Sequence, residues 1–203
     1  MIKKRELNEY IEGTLTASNR IFKNLKTTGD LVSRFKQLAA AESKENIIHF
    51  NVVEYMQLIL KSMGLPGNYK GVIVDIDCDD KLEIYSDAGK FSQIFTNLIS
   101  NSLQHGFHGR NDGHINIRFE KVDDELFVQY EDDGVGIEKS NMESIYTPFF
   151  TTKFSGETKG LGLNIVYNVV TKLFNGSIRC ESEAGKGTMF FIKLNLGVHE
   201  NEI

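Results

Sequence analysis

Apolar side chains recur at helical spacing through the first part of the chain. Between residues 5 and 43 there is no proline, and apolar or small residues follow one another in steps of three and four. A second apolar stripe, formed by Leu15, Phe22, Leu31 and Leu38, runs beside the first. Because two stripes need more than one partner helix, the pattern predicts one long helix of a bundle. A homodimer through residues 5–43 is the expected assembly.

Beyond this helix the pattern changes to the alternation that is typical of strands. Residues 41–50 are interpreted as a linker, and Asn51 is a candidate cap for an apolar helix that ends near Met63. Two further helices are predicted at 89–105 and 162–174. Strands are predicted at 72–77, 81–87, 114–122, 125–132, 177–183 and 188–196, with a hairpin turn at Asp123 and Asp124. This order predicts an α+β domain over residues 46–203, an α/β sandwich in which a mixed sheet carries helices on one face, after a helical domain over residues 1–45.

Composition narrows the class of protein. The 203 residues are 40% hydrophobic and carry a formal net charge of −5, which argues against a general nucleic-acid binder. Cys78 and Cys180 lie far apart and match no metal-binding spacing, so free thiols in a reducing compartment are expected. No apolar run approaches the roughly 18 residues of a membrane span. We therefore expect a cytoplasmic location, with membrane attachment only through regions outside this sequence.

The helix predicted at 89–105 carries three polar residues with a common spacing. Asn97, Asn101 and His105 are four residues apart and therefore share one face. An asparagine amide oxygen is a suitable ligand for Mg²⁺, which takes few protein ligands and often adds phosphate oxygens. The alternative is an ordinary exposed polar stripe on an amphipathic helix.

A first glycine motif, DDGVG, ends the strand at 125–132. Asp132 could accept a hydrogen bond from an exocyclic amine such as that of adenine, and Gly134 and Gly136 would let the backbone approach the ring. A plain turn is the alternative, because Asp-Gly is a common turn dipeptide. The later GKGT segment at 185–188 has the same two interpretations: a hairpin turn or a contribution to nucleotide binding.

A second glycine motif, KGLGL at 159–163, opens the helix at 162–174. Backbone N–H groups of Gly160 and Gly162 at such a helix start form an anion site. The stretch at 138–160 before it shows weak periodicity and is expected to be a functional cover or disordered. Lys153, within this stretch, could reach a phosphate.

Together these segments resemble a known set of motifs in both order and spacing. QIFTNLISNSLQHG, DDGVG, TPFFTTK, KGLGL and GKGT are similar to the N, G1, F, G2 and terminal G boxes of the GHKL ATPase superfamily, specifically the catalytic domain of sensor histidine kinases. The resemblance covers about residues 50–197 and implies the Bergerat ATP-binding fold. Residues 19–39 resemble the second helix of the kinase dimerisation and phosphotransfer domain.

The resemblance implies ATP and Mg²⁺ as cofactors, with ADP as the product. It makes Asn101 the Mg²⁺ ligand and Asn97 a second polar group near the phosphates, both with catalytic roles. It makes Asp132 the reader of adenine N6. The other nucleotide-binding positions that it implies are His105, Gly134, Gly136, Ile137, Lys153, Gly160, Leu161, Gly162, Leu163 and Thr188.

One position separates phosphotransfer from hydrolysis within the superfamily. Gyrase and Hsp90 relatives place a water-activating Glu four residues before the metal-binding Asn, where this sequence has Asn97. Because an amide cannot act as a general base, the resemblance favours a protein histidine kinase. Its implied partners are a phosphoacceptor helix and a response regulator receiver domain. The alternatives are a nucleotide-binding signalling scaffold without catalysis and a GHKL-type ATPase.

The expected phosphoacceptor histidine is missing from the predicted helix. The five histidines are His49, His105, His108, His114 and His199, and none lies between residues 5 and 43. We therefore expect a kinase fragment that begins after the phosphoacceptor helix. The alternative is a complete protein that phosphorylates a partner in trans or has lost catalysis.

Overall fold

A computed structural model of the chain divides into two compact units, Met1–Glu42 and Ser43–Ile203. The structure describes residues 12–15, 17–18, 47–65, 67, 69, 71–152 and 160–197. In the first unit, residues 12–15 and 17–18 are helical and exposed. The rest of the helix predicted over residues 5–43 lies outside the described residues.

The second unit contains seven strands and three α-helices within its described residues. The strands are β1 (Ile47–Asn51), β2 (Val72–Asp77), β3 (Glu83–Asp87), β4 (Gly113–Val122), β5 (Glu125–Asp132), β6 (Ser177–Ser182) and β7 (Thr188–Asn195). The helices are α1 (Val52–Ser62), α2 (Ala88–Asn101) and α3 (Gly162–Asn168). A π turn extends α2 over Ser102–Gly106, another extends α3 over Val169–Leu173, and a short 3-10 helix spans Lys139–Ser144.

Five strands form one mixed sheet in the order β2-β4-β5-β7-β6. β2 runs parallel to β4, whereas the other neighbours are antiparallel. Alternate residues of β4 are buried, and the Phe119 ring lies 5.4 Å from the ring of Phe95 on α2. Helices therefore pack on the face of the sheet that carries these apolar residues, and the predicted mixed sheet is confirmed.

The start of this unit differs from the sequence prediction. Residues 47–50 belong to strand β1, not to a linker, and β1 pairs antiparallel with β3. The strand predicted at 81–87 begins at Glu83 and belongs to this separate two-stranded sheet. His49 lies in β1, with its ring 4.5 Å from that of Tyr85. Burial along β1 does not alternate, so the sequence carries no period-2 signal there.

Local signals at the helix ends agree with the structure. The side chain of Asn51 accepts a hydrogen bond from the Glu54 N–H at 3.0 Å, which confirms the predicted cap of α1. Asp87 caps α2 in the same way through the Lys90 N–H. The helix predicted over 89–105 is present, but its hydrogen bonding changes from α to π at Ser102. Within the described residues, no helix is both long enough and apolar enough to span a bilayer.

Candidate functional site

Asp132, at the end of β5, is a buried carboxyl group held by two donors. Its side chain is 5% exposed. The Ser102 hydroxyl donates to Oδ2 at 2.6 Å, and the Gly134 N–H donates to Oδ1 at 3.0 Å. Ser102 Oγ also lies 2.7 Å from the hydroxyl of Tyr130. The π turn after α2 therefore fixes the orientation of this carboxylate.

The two neighbouring carboxyl groups at this strand end have opposite pKa shifts. Burial raises the pKa of Asp132, while the hydrogen bonds from Ser102 and Gly134 act to lower it. Partial burial also raises the pKa of Asp133, but bonds from the His114 N–H and Arg110 outweigh this and lower it. Asp133 therefore anchors the loop at the surface as an ion pair with Arg110, whereas Asp132 faces the interior.

Close backbone contacts explain the glycines of DDGVG. A Cβ atom on Gly134 would lie 2.6 Å from the Cα of Gly106 in the π turn. Gly136 has a φ of 70°, and a Cβ atom there would lie 2.1 Å from the carbonyl oxygen of Glu183. The segment thus joins the end of α2 to the turn between β6 and β7, which a plain turn would not require.

The GKGT segment at 185–188 lies beside Asp132 and leads into β7. Thr188 pairs with Asp132 across β5 and β7 and is buried. The Ser182 hydroxyl donates to the Gly187 carbonyl at 2.6 Å and accepts from the Ile137 N–H at 2.8 Å. Ile137 and Thr188 are therefore brought together with Asp132 by the fold.

A second cluster joins α2 to the start of α3. A Cβ atom on Gly162 would lie 3.0 Å from Oδ1 of Asn101 and 3.4 Å from Oδ1 of Asn97. The Nδ2 group of Asn97 donates to the carbonyl of Gln93 at 2.7 Å, which leaves its amide oxygen directed away from that bond. The structure thus places both asparagines against the second glycine motif.

The rest of this motif packs against the segment that precedes it. Gly160 has a φ of 62°, and a Cβ atom there would lie 2.4 Å from the carbonyl oxygen of Phe150. Leu161 is buried and Leu163 is half-buried. Asn164 Nδ2 donates to the Tyr146 carbonyl at 2.9 Å. Lys153 and the other residues up to 159 lie outside the described residues.

The donor set suits a hard cation next to phosphate oxygens. Asn101 Nδ2 is buried and has no hydrogen-bond partner among the described residues. A side chain in that state suits a site that is completed by another group. His105 is half-buried, in the same π turn as Gly106. The Nδ2 group of Asn101 suits a bond to a phosphate oxygen, and its Oδ1 is the type of oxygen that Mg²⁺ takes as a ligand, so the residues present fit Mg²⁺ and a nucleotide.

The structure adds residues that the sequence interpretation did not include. These are Ser102, Gly106, Tyr130, Ser182 and Gly187. Gly106 and Gly187 were detectable from the sequence, because they lie inside the QIFTNLISNSLQHG and GKGT motifs. The two serines and Tyr130 had no local signal, because they contact the site only through pairing of distant segments.

Comparison with known proteins identifies the family of this domain. Residues 86–198 match the family described as histidine kinase-, DNA gyrase B- and HSP90-like ATPase. Sporulation kinase E of Bacillus subtilis (strain 168) is 29% identical over 181 residues, which are 87% of this chain and 23% of that protein. The chain thus spans about a quarter of the length of this relative.

Two solved structures share the fold. The catalytic domain of histidine kinase ThkA superposes with a TM-score of 0.62 at 23% identity, covering 74% of this chain and 95% of that one. Histidine kinase ThkA in complex with response regulator protein TrrA gives a TM-score of 0.62 at 21% identity, covering 97% of this chain and 53% of that one.

Proposed function

Because the chain belongs to the histidine kinase-, DNA gyrase B- and HSP90-like ATPase family, we propose that it is the ATP- and Mg²⁺-dependent core of a protein histidine kinase. The described domain is a catalytic domain of the sensor histidine kinase type, which implies nucleotide binding. The proposed reaction transfers the γ-phosphate of ATP to a histidine on a phosphotransfer helix, with ADP as the second product.

One observation supports this proposal above the others. Two successive residues at the junction of α2 and its π turn contact the two glycine motifs: Asn101 lies against Gly162, and Ser102 donates to Asp132. A single rigid element therefore sets the distance between the proposed phosphate end and the proposed adenine end of one site. Such positioning is the main requirement of phosphoryl transfer, in which the protein contributes little covalent chemistry.

Each end of the site has a distinct proposed role. Asp132 accepts a hydrogen bond from the 6-amino group of adenine, and Gly134 and Gly136 shape the adenine pocket through their close backbone contacts with Gly106 and Glu183. Backbone N–H groups of Gly160, Leu161 and Gly162 hold the phosphates. Asn101 is the proposed ligand of Mg²⁺, which when bound neutralises charge on the phosphate oxygens.

Asn97 supports transfer to a protein over hydrolysis. It faces the same glycine motif as Asn101, and by the resemblance it stands where gyrase and Hsp90 relatives carry a water-activating Glu. The amide side chain of Asn97 cannot accept a proton near neutral pH, so it cannot act as a general base. Asn97 is proposed to position phosphate oxygens by hydrogen bonding.

The partners of the reaction are also proposals. The family relationship and the ThkA–TrrA complex support a response regulator receiver domain as the final acceptor. The phosphoacceptor helix is proposed to belong to a longer form of the protein, and residues 5–43 to form a homodimer. The helical spacing of those residues supports the latter proposal.

Transfer of label from ATP tests the proposed function directly. The chain is mixed with γ-labelled ATP, Mg²⁺ and a longer form of the protein that carries the acceptor helix and the substitution Asn101→Ala. Acid-labile, base-stable label on the longer chain is the expected result. ATP binding without label would identify a signalling scaffold, and rapid release of free phosphate would identify an ATPase.

A further inference from the structure

Three buried polar side chains form a hydrogen-bonded chain that ends at the proposed adenine reader. The hydroxyl of Tyr130 lies 2.7 Å from Ser102 Oγ, which donates at 2.6 Å to Oδ2 of Asp132. Tyr130 is 0% exposed, Ser102 2% and Asp132 5%. Because all three are removed from water, their hydrogen bonds are made with the protein or with a ligand.

The direction of this chain follows from the number of hydrogens. A serine hydroxyl has one hydrogen, and that of Ser102 points at Asp132. Tyr130 is therefore the donor in its bond with Ser102. Burial raises the pKa of Tyr130 well above its ordinary value, so its hydroxyl keeps its proton.

The Asp132 carboxyl group accepts hydrogen bonds from three protein groups. Ser102 donates to Oδ2, Gly134 to Oδ1, and the backbone N–H of Thr188 also stabilises the charged form. A carboxylate offers about four acceptor positions, so acceptor capacity remains for a ligand. Burial raises the pKa of Asp132, and these three donors act against that rise. They therefore favour the form of Asp132 that accepts hydrogen bonds and donates none.

An acceptor at this position distinguishes the two purines. Adenine carries an amino group, a donor, at position 6, whereas guanine carries an oxygen, an acceptor. A carboxylate without a proton binds the first and repels the second. A buried carboxyl group free to rotate or to become protonated would discriminate less.

We propose that Ser102, itself held by Tyr130, is a positioning residue that sets the specificity of this site for 6-aminopurine nucleotides. It does so by fixing the Asp132 carboxylate as an oriented acceptor. This inference rests on the proposed binding of ATP at this site.

The test compares ADP with purine riboside diphosphate, which carries hydrogen in place of the 6-amino group. Affinities of the full chain for both ligands are measured by calorimetry, for the wild type and for Ser102→Ala. The wild type is expected to prefer ADP by at least about tenfold, as for a hydrogen bond to a charged group. Ser102→Ala is expected to reduce that preference by about tenfold and to leave affinity for the analogue unchanged.

Two further variants separate positioning from general structural damage. Ser100→Ala makes the same change two residues earlier on α2, at a hydroxyl bonded to exposed Gln104, and is expected to keep the full preference. Tyr130→Phe removes only the distal donor. We expect it to reduce the preference by about threefold in the wild type and to have no effect when Ser102 is already alanine.

The outcomes of these measurements separate the specificity role of Ser102 from the proposed binding of ATP. Equal weakening of both ligands in Ser102→Ala, with the preference kept, would overturn the specificity role and leave ATP binding standing. A wild type that binds both ligands equally would refute the role of Asp132 and this inference with it. A wild type that binds neither ligand would refute the proposed function as well.

Discussion

A Cβ atom placed on Gly162, the first residue of α3, would lie 3.0 Å from Oδ1 of Asn101 at the end of α2. No other residue type leaves the same space between the two helices. Asn101, the proposed metal ligand, therefore lies directly against Gly162 of the proposed phosphate loop, and any side chain at residue 162 would occupy the space between them.

Asn101→Ala should remove the dependence of ATP affinity on Mg²⁺. Because Asn101 Nδ2 has no partner within the described residues, its loss should cost the fold little. We expect addition of EDTA to weaken ATP binding to the wild type by about tenfold, equivalent to about 1.4 kcal/mol, and to leave the variant unchanged. Asn116→Ala, on the sheet face opposite the helices, is the control. An Asn101→Ala variant that still responds to EDTA would contradict the metal assignment.

Gly162→Ala should separate stability from binding. Gly162 is the first residue of its helix, where alanine gains less over glycine than the roughly 1 kcal/mol of an interior position. The atoms nearest to the added methyl group are side-chain ends that can shift, so unfolding by urea should show little change in stability. The added methyl group crowds Asn101, and we expect ATP affinity to fall by about tenfold, or about 1.4 kcal/mol. Gly197→Ala, where a Cβ atom meets nothing within 4 Å, should leave affinity unaltered. Unchanged ATP affinity in Gly162→Ala would show that ATP binding does not need the space beside Asn101.

Gly185 and Gly187 offer a matched pair within one turn. Both have positive φ, at 82° and 89°, so alanine costs each about 1–2 kcal/mol in backbone conformation. At Gly185 the Cβ atom has open space, whereas at Gly187 it would lie 2.0 Å from the carbonyl oxygen of Asp132. Gly187→Ala should therefore destabilise the domain by several kcal/mol more in urea titrations. Equal losses would contradict the close packing of this turn.

The adjacent carboxyl groups should give opposite pH dependences. Burial raises the pKa of Asp132 above its ordinary value of 3.8, so the folded state binds that proton more tightly than the unfolded state. Its contribution to the free energy of unfolding is present below about pH 3.8 and is lost as pH rises through the folded pKa.

Urea unfolding of Asp132→Asn and Asp133→Asn over this range measures both effects. The wild type should lose stability relative to Asp132→Asn as pH rises. The pKa of Asp133 is lowered, so its contribution is present above the ordinary pKa and is lost as pH falls through the folded value. The wild type should thus gain stability relative to Asp133→Asn as pH rises. If stability relative to the wild type changed with pH in the same direction for both variants, the opposite pKa shifts of the two carboxyl groups would be contradicted.

The two thiols should react slowly with iodoacetamide in the folded protein. Burial raises the pKa of Cys78 to about 11 and that of Cys180 to about 12, so little thiolate exists at neutral pH. Mass spectrometry over time should show Cys78 modified before Cys180, and both rapidly in urea. Fast labelling of Cys180 under native conditions would contradict its environment.

Local sequence signals predicted much of the fold correctly. The Asn51 cap, the turn at Asp123 with its φ of 53°, and the alternation along β4 and β5 depend on neighbouring residues alone. Strand β1 was interpreted as a linker, because its residues are half-exposed and its partner β3 lies more than 30 residues away. Pairing over that distance leaves no pattern within β1 itself, whereas β3 alternates and was predicted as a strand.

The sequence by itself determined the types of group at the site: the asparagines of α2, the carboxyl group of Asp132 and the glycines of each motif. Only the tertiary structure decided which of them meet. Gly162 faces Asn101, and Ser102 and Tyr130 reach Asp132, because α2 packs across strands that are distant in the chain. Spacing along one helix specifies a face, whereas the partner of that face depends on how the whole core packs.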